Sequence, residues 1–205
     1  MRRQRTSSWR RFDPDAVPAG APAVRDVART AAGPCRILGL DPGSLRTGFG
    51  IIDCDGTVQR HVASGCIRPP ATSMAGRLRF IYEAVVALVE QHRPAEVAIE
   101  SVFMHRNPDS ALKLGQARGV AMCAAVITGA EVFEYAPRAV KLALVGHGGA
   151  EKAQVQHMVY AILALPAPKT HDASDALGIG LCHAQSRRLG VLLEAAGVGM
   201  PMATR

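Results

Sequence analysis

Four acidic residues stand where a fold could bring them together. Asp41 closes the apolar run RILGLD, Glu100 closes EVAIE, and Asp172 and Asp175 sit three apart in HDASDALGIG. A carboxylate that ends a strand emerges at the sheet's edge, and acids three apart on a helix share one face. Side chains alternate along a strand, so Asp41 shares its face with Gly39 and Glu100 with Ala98. Carboxylates crowded together repel one another and are hard to ionise. A divalent ion resolves this, because Mg²⁺ accepts carboxylate oxygens and keeps water and phosphate in its other positions. Two such ions, about 4 Å apart, activate a water and stabilise the leaving oxygen of a phosphodiester. Taken singly, Asp41 reads as a strand end, Glu100 as surface, Asp172 as a helix cap and Asp175 as a helix-dipole partner. The coincidence of two acid-terminated strands with a slim diacid helix favours the joint reading.

The elements that must position these acids are legible from the apolar pattern. Strands are expected at 36–41, 48–53 and 57–67, with Asp55–Gly56 as a hairpin turn between the last two. Pro42 biases Asp41 toward extended backbone. Ser73 caps a helix over 74–92, whose apolar face carries Leu78, Ile81, Tyr82, Val85, Leu88 and Val89 and which Pro94 ends. A strand at 96–100, a helix at 109–128 and a strand at 131–136 follow. Pro137 opens another helix, glycines at 146, 148 and 149 interrupt it, and helices at 151–165 and from near His171 complete the chain. Hairpin-connected strands are antiparallel, and strands joined through helices are parallel. The fold class is therefore α/β, a mixed five-stranded sheet of three antiparallel strands and then parallel ones, flanked by helices. Ala173, Ser174, Ala176, Gly178 and Gly180 keep the last helix thin. Each glycine costs a helix interior about 1 kcal/mol, which close approach to the sheet would justify.

Composition bounds the class of protein. At 205 residues, 48% hydrophobic and 20% charged, the chain suits one well-buried domain. No apolar run is long enough to cross a bilayer, so no membrane partner is expected. The formal charge of +7 divides unevenly. Residues 1–35 hold seven arginines against three aspartates, leaving seventeen basic against fourteen acidic residues elsewhere. A nucleic-acid partner is permitted by this balance and not required. Residues 1–35 read as a disordered or loosely ordered basic extension, 36–186 as the folded domain and 187–205 as a tail. Five cysteines without a CxxC pair suit reduced core thiols, four of them among small or apolar neighbours, and a cytoplasmic compartment.

The stretches LDPGSLRTGFGIID, SGCIR, AIESVFMHRNPDSALKLGQARG, VFEYAPRAVKLALVGHGGAEKAQVQHMV and HDASDALGIG, in this order, resemble the RuvC family of bacterial Holliday-junction resolvases, within the RNase H-like nucleases. The resemblance spans about 36–185 and leaves both termini unmatched. It implies an RNase H-like fold and an endonuclease that nicks two opposed strands of four-way junction DNA, as a homodimer, after the RuvA–RuvB branch-migration complex. It places the family's metal-binding catalytic acids at Asp41, Glu100, Asp172 and Asp175, with two Mg²⁺ per site and Mn²⁺ able to substitute. Lys141 and Lys152 match basic positions that hold DNA phosphates. Phe103 could stack on an unpaired base at the junction or serve as a core side chain. Arg106 is a weaker phosphate contact from the same loop, and His171 reads first as a polar helix start and second as an auxiliary beside Asp172. Two symmetric nicks require two sites related by a twofold axis. The helix SALKLGQARGVAMCAAVITG is apolar or small around most of its circumference, fit either for burial within one chain or for sharing with a twin.

Two rivals use the same residues. Asp41, Gly43 and Gly48 also fit the DxGxxxxG phosphate turn of actin-like and sugar-kinase ATP-binding proteins. That reading leaves Glu100 and the Asp172/Asp175 pair without a role. A nuclease acting on ribosomal RNA precursors keeps the fold and changes the substrate.

Overall fold

The computed structural model describes residues 33–101, 107–166 and 171–196. The disorder expected of residues 1–35 falls almost wholly outside them, as do Phe103, Arg106 and the end of the C-terminal tail. The strands are β1 (Cys35–Asp41), β2 (Thr47–Asp55), β3 (Val58–Ile67), β4 (Glu96–Glu100) and β5 (Glu131–Tyr135). The helices are α1 (Met74–His92), α2 (Pro108–Ile127), α3 (Pro137–Val145), α4 (Lys152–Ile162) and α5 (His171–Ala195). One sheet has the order β3-β2-β1-β4-β5. β1, β2 and β3 pair antiparallel, and β1, β4 and β5 parallel.

Local chemistry explains the boundaries. Gly56 takes a φ of +56° in the β2–β3 turn, the left-handed backbone that a tight hairpin requires. Ser73 Oγ accepts from the Gly76 N–H at 3.2 Å, and α1 stops where Arg93 turns left-handed just before Pro94. α4 ends at Ile162 rather than at 165, since Leu163 closes it and Ala164 takes a φ of +49°. α5 runs on through Ala195, past the domain end expected at 186.

The sheet separates two cores, as alternation along each strand demands. On one face Leu38, Leu40, Ile51, Val97 and Ile99 meet α1 through Ile81, Val85 and Val89, and α2 through Ala117, Ala121, Ala124 and Ala125. On the other, Ile37, Ile52 and Ala98 meet Leu177, Ile179 and Leu181 of α5, with Val140 and Leu144 of α3 and Val155 and Val159 of α4. Of the five cysteines, all free, Cys35, Cys54 and Cys182 are buried, Cys66 is half-buried and Cys123 is exposed. The expectation of four core thiols thus overcounts, since Cys66 of β3 and Cys123 of α2 lie farther out.

α5 crosses β1 and β2 with its backbone against theirs. A Cβ added to Gly39 would stand 2.0 Å from the Ala176 carbonyl oxygen, and one on Gly48 2.1 Å from that of Asp172. One on Gly50 would meet Leu177 Cδ2 at 2.7 Å. The small residues that matter most are therefore on the sheet. A Cβ on Gly180 would make only ordinary contact at 3.7 Å, and one on Gly178 would press 3.2 Å from Leu144 of α3 rather than the sheet. Farther along, Glu96 of β4 accepts from His183 Nε2 at 2.6 Å and from Arg187 Nε, while Tyr135 O–H reaches His183 Nδ1 at 2.6 Å. Burial pushes Glu96 up, but His183 and Arg187 outweigh it and hold the carboxyl below its usual range.

Gly39→Ala forces a methyl into a main-chain carbonyl that no rotamer change can clear. It is expected to cost about 3 kcal/mol or more in urea unfolding, at the upper end for overpacking. Gly180→Ala is expected to be tolerated.

Candidate functional site

The four acids lie on the α5 face of the sheet. Asp41 follows Ile37 and Gly39 along β1 and pairs across the strand with Gly48. Glu100 follows Ala98 at the end of β4, the parallel neighbour of β1. Main-chain hydrogen bonds fix that end: Ser101 N–H donates to Tyr135 O at 2.8 Å, and Arg118 Nε of α2 donates to Glu100 O at 3.0 Å while its Nη2 pairs with Glu134. Asp172 and Asp175 stand in the first turn and a half of α5, brought over β1 and β2 by the contact at Gly48.

Their electrostatics report the crowding. Burial, then the charges of Glu100, Asp175 and Asp172, push the Asp41 carboxyl up to about 7, against the pull of Lys152. All four acids therefore share one electrostatic neighbourhood. Lys152 is the resident cation: its Nζ lies 2.6 Å from Asp175 Oδ2. That hydrogen bond, with the Asp175, Asp41 and Asp172 charges, holds the ammonium above its ordinary value despite burial. Arg46 Nη1 stands 3.8 Å from Asp172 Oδ2. Among the described residues no three His, Cys, Asp or Glu side chains already converge on a single point. The acids form an all-oxygen set neutralised in part by a lysine. Such donors fit a hard divalent cation rather than a thiophilic one.

The remaining expected residues fall differently. Lys141 lies half-buried on α3, whose Val140 and Leu144 pack near Gly178 of α5, and it makes no ion pair among the described residues. His171 opens α5 with its Nδ1 2.7 Å from Gln156 Nε2, a tie between α4 and α5. Phe103 and Arg106 lie outside the described residues.

Three residues near the site escaped the sequence reading. Arg46 faces Asp172, and fully buried Thr47 closes the β1–β2 turn by accepting from Gly43 N–H at 3.2 Å and donating to Gly43 O at 2.9 Å. Arg118 positions the end of β4. Arg46 and Thr47 sit within the quoted turn GSLRTG, so their signal was proximity to Asp41 in sequence. Arg118 is far from any acid in the chain, and only the packing of α2 reveals it.

Comparison with known proteins adds an independent observation. Residues 37–183 match the family model for crossover junction endodeoxyribonuclease RuvC. The chain is 52% identical over 162 residues to the crossover junction endodeoxyribonuclease RuvC of Alkalilimnicola ehrlichii, covering 79% of this chain and 98% of that one. To the protein of the same name from Methylococcus capsulatus it is 56% identical over 153 residues, covering 75% and 92%. Among solved structures it is similar to T. thermophilus RuvC in complex with Holliday junction substrate, with a TM-score of 0.72 and 35% identity over 76% of this chain and 96% of that chain.

A raised carboxyl penalises folding once it must ionise. With a chelator present, the wild type should lose stability as pH climbs from the ordinary carboxylate range toward 7, while Asp41→Asn should not. At pH 8 the variant is expected to be the more stable by roughly 2 kcal/mol, a discounted conversion of the shift. The gap should close below about pH 4, as followed by thermal melts across pH.

Proposed function

The chain belongs to the RuvC family of crossover junction endodeoxyribonucleases, and we propose that it resolves four-way DNA junctions by metal-dependent hydrolysis of two opposed phosphodiesters. The observation that carries the reading is the meeting of Asp41, Glu100, Asp172 and Asp175 in one neighbourhood, where burial first and then the other carboxylates lift Asp41 to about 7. RuvC nucleases are metal-dependent. Asp41, Glu100, Asp172 and Asp175 would hold the ions, with Mg²⁺ favoured, two per site, and Mn²⁺ as a substitute. When bound, such ions supply Lewis acidity at phosphate and acidify an attacking water.

The chain's own groups do the rest. β1 and β4 present two acids from a rigid sheet, and the α5 backbone contact sets the other two against them. Lys152 neutralises Asp175 before substrate arrives and can turn to a DNA phosphate. Lys141, Phe103 and Arg106 are assigned to DNA contact and His171 to support beside Asp172. No described helix is long and apolar enough to cross a membrane. A cytoplasmic site of action after RuvA–RuvB branch migration is part of the same proposal. The family match leaves the ATP-binding and ribosomal-RNA readings without an observation in their favour.

Paired nicks call for a twofold assembly, and α2 offers a face for it. Its inner side is sealed by four alanines, while Leu112 and Ile127 are 64% and 63% exposed. Gly115 and Gly119 lie along the same outer face with nothing within 4 Å of an added Cβ. A small-and-apolar stripe of this kind fits a second copy of the same helix.

Purified protein with Mg²⁺ should nick a four-way junction symmetrically and leave matched linear duplex intact. Equal cutting of both, or of neither, would overturn the proposal. Asp41→Asn should reduce cleavage to background while retaining junction binding, and normal cutting by that variant refutes the site. Gly119→Arg should convert a dimer to a folded monomer by light scattering, and an unchanged dimer rejects α2 as the interface.

A further inference from the structure

At the opposite end of the β1–β2 ladder from Asp41, Cys35 and Cys54 are direct cross-strand partners. They lie on the α5 face, in step with Ile37 and Ile52. Opposed residues of an antiparallel pair hold their Cα atoms about 4.5–5.5 Å apart, within the span that a disulfide bridges. Both thiols are free. Cys54 Sγ lies 3.3 Å from the Cys35 carbonyl oxygen, and Arg187 Nη1 donates to it at 3.7 Å. The same guanidinium binds Glu96 through Nε.

The surroundings divide the pair into unlike partners. The hydrogen bond from the Cys35 thiol, with Arg187, draws Cys54 below the ordinary thiol range against the effect of burial. That bond, burial and the nearby Glu96 charge drive Cys35 the other way, with Arg187 opposing. The guanidinium beside Cys54 is the cationic neighbour that favours that sulfur as the nucleophile. Cys35 and Cys54 are both largely buried, at 9% and 6% exposure. The strand ends that carry them border an open cleft of about 500 Å³ that Arg36, Arg60 and Arg93 also line, with Asp53 and Asp55. Arg36 is paired with Asp53.

We propose that Cys35 and Cys54 form a peroxide-oxidisable dithiol that closes to a cross-strand disulfide when a hydroperoxide reaches the pair. The Cys54 sulfur attacks one oxygen of hydrogen peroxide, the O–O bond breaks, and the departing hydroxide takes the proton given up by the Cys54 thiol to leave as water. Cys54 is then a sulfenic acid. Cys35 loses its proton, attacks the Cys54 sulfur and expels hydroxide, which takes that proton as the second water. Two thiols are oxidised by two electrons in all, and one peroxide is reduced to two waters.

The full-length protein, titrated with hydrogen peroxide and then denatured and alkylated, reads this out by peptide mass spectrometry. A peptide joining Cys35 to Cys54, two hydrogens lighter and within one chain, should accumulate before exposed Cys123 is oxidised, and dithiothreitol should restore both thiols. Recovery of Cys35 and Cys54 as alkylated thiols after Cys123 has been consumed overturns the proposal. The rate of disulfide formation should persist to lower pH than oxidation of free glutathione in the same solution, and coincident profiles count against the activated pair. Cys35→Ser should stop at a sulfenic acid that dimedone captures on Cys54. A folded Cys35→Ser protein without that adduct also overturns it.

Discussion

With no side chains between them, the α5 main chain lies directly on β1 and β2 where Gly39, Gly48 and Gly50 face it. This contact sets the whole site. An aspartate reaches only a short way from its backbone, so Asp172 and Asp175 can share a neighbourhood with Asp41 only if their helix comes down to the sheet. The Gly48 contact is made by the Asp172 carbonyl itself, so the residue that touches the sheet is also one of the acids being delivered.

The arrangement is costly as it stands. Like charges and burial lift Asp41 far above an ordinary carboxyl, and one lysine offsets only part of the repulsion. The sheet carries that cost through its two cores and through a second fastening at the far end of α5. There Glu96, His183 and Arg187 satisfy one another out of water. Such a buried cluster contributes little net stability but is severe to break, because a lone buried charge would remain. Its value here is positional, since it ties α5 to β4, the strand that bears Glu100.

Much of this was visible in the chain. The antiparallel and parallel pairing, the mixed sheet, the Ser73 cap and the joint placement of four acids follow from period, turn residues and acid-terminated apolar runs. Other features were not visible, for physical reasons. The need for glycine belongs to the pair of surfaces, and sequence alone assigned it to the helix when Gly39, Gly48 and Gly50 of the sheet bear the tightest contacts. α5 runs past 186 with Arg187 turned inward onto Glu96, a partner 91 residues away that the sequence does not reveal. Cys123 looked like a core thiol because α2 is small and apolar all round, and only packing shows which side faces inward.

Because α5 is fastened near Gly39 and Gly48 at one end and at Glu96 by the other, the stretch between Asp175 and His183 behaves as a spacer of fixed phase. One extra residue there would turn one end relative to the other by about 100° and advance it by about 1.5 Å. The aspartates would swing off the sheet, or the histidine and arginine would leave Glu96. Residues 176–183 are buried on every side, so insertions and deletions are forbidden there and side chains change only where the packing allows. This part of the chain must preserve its length as well as its packing.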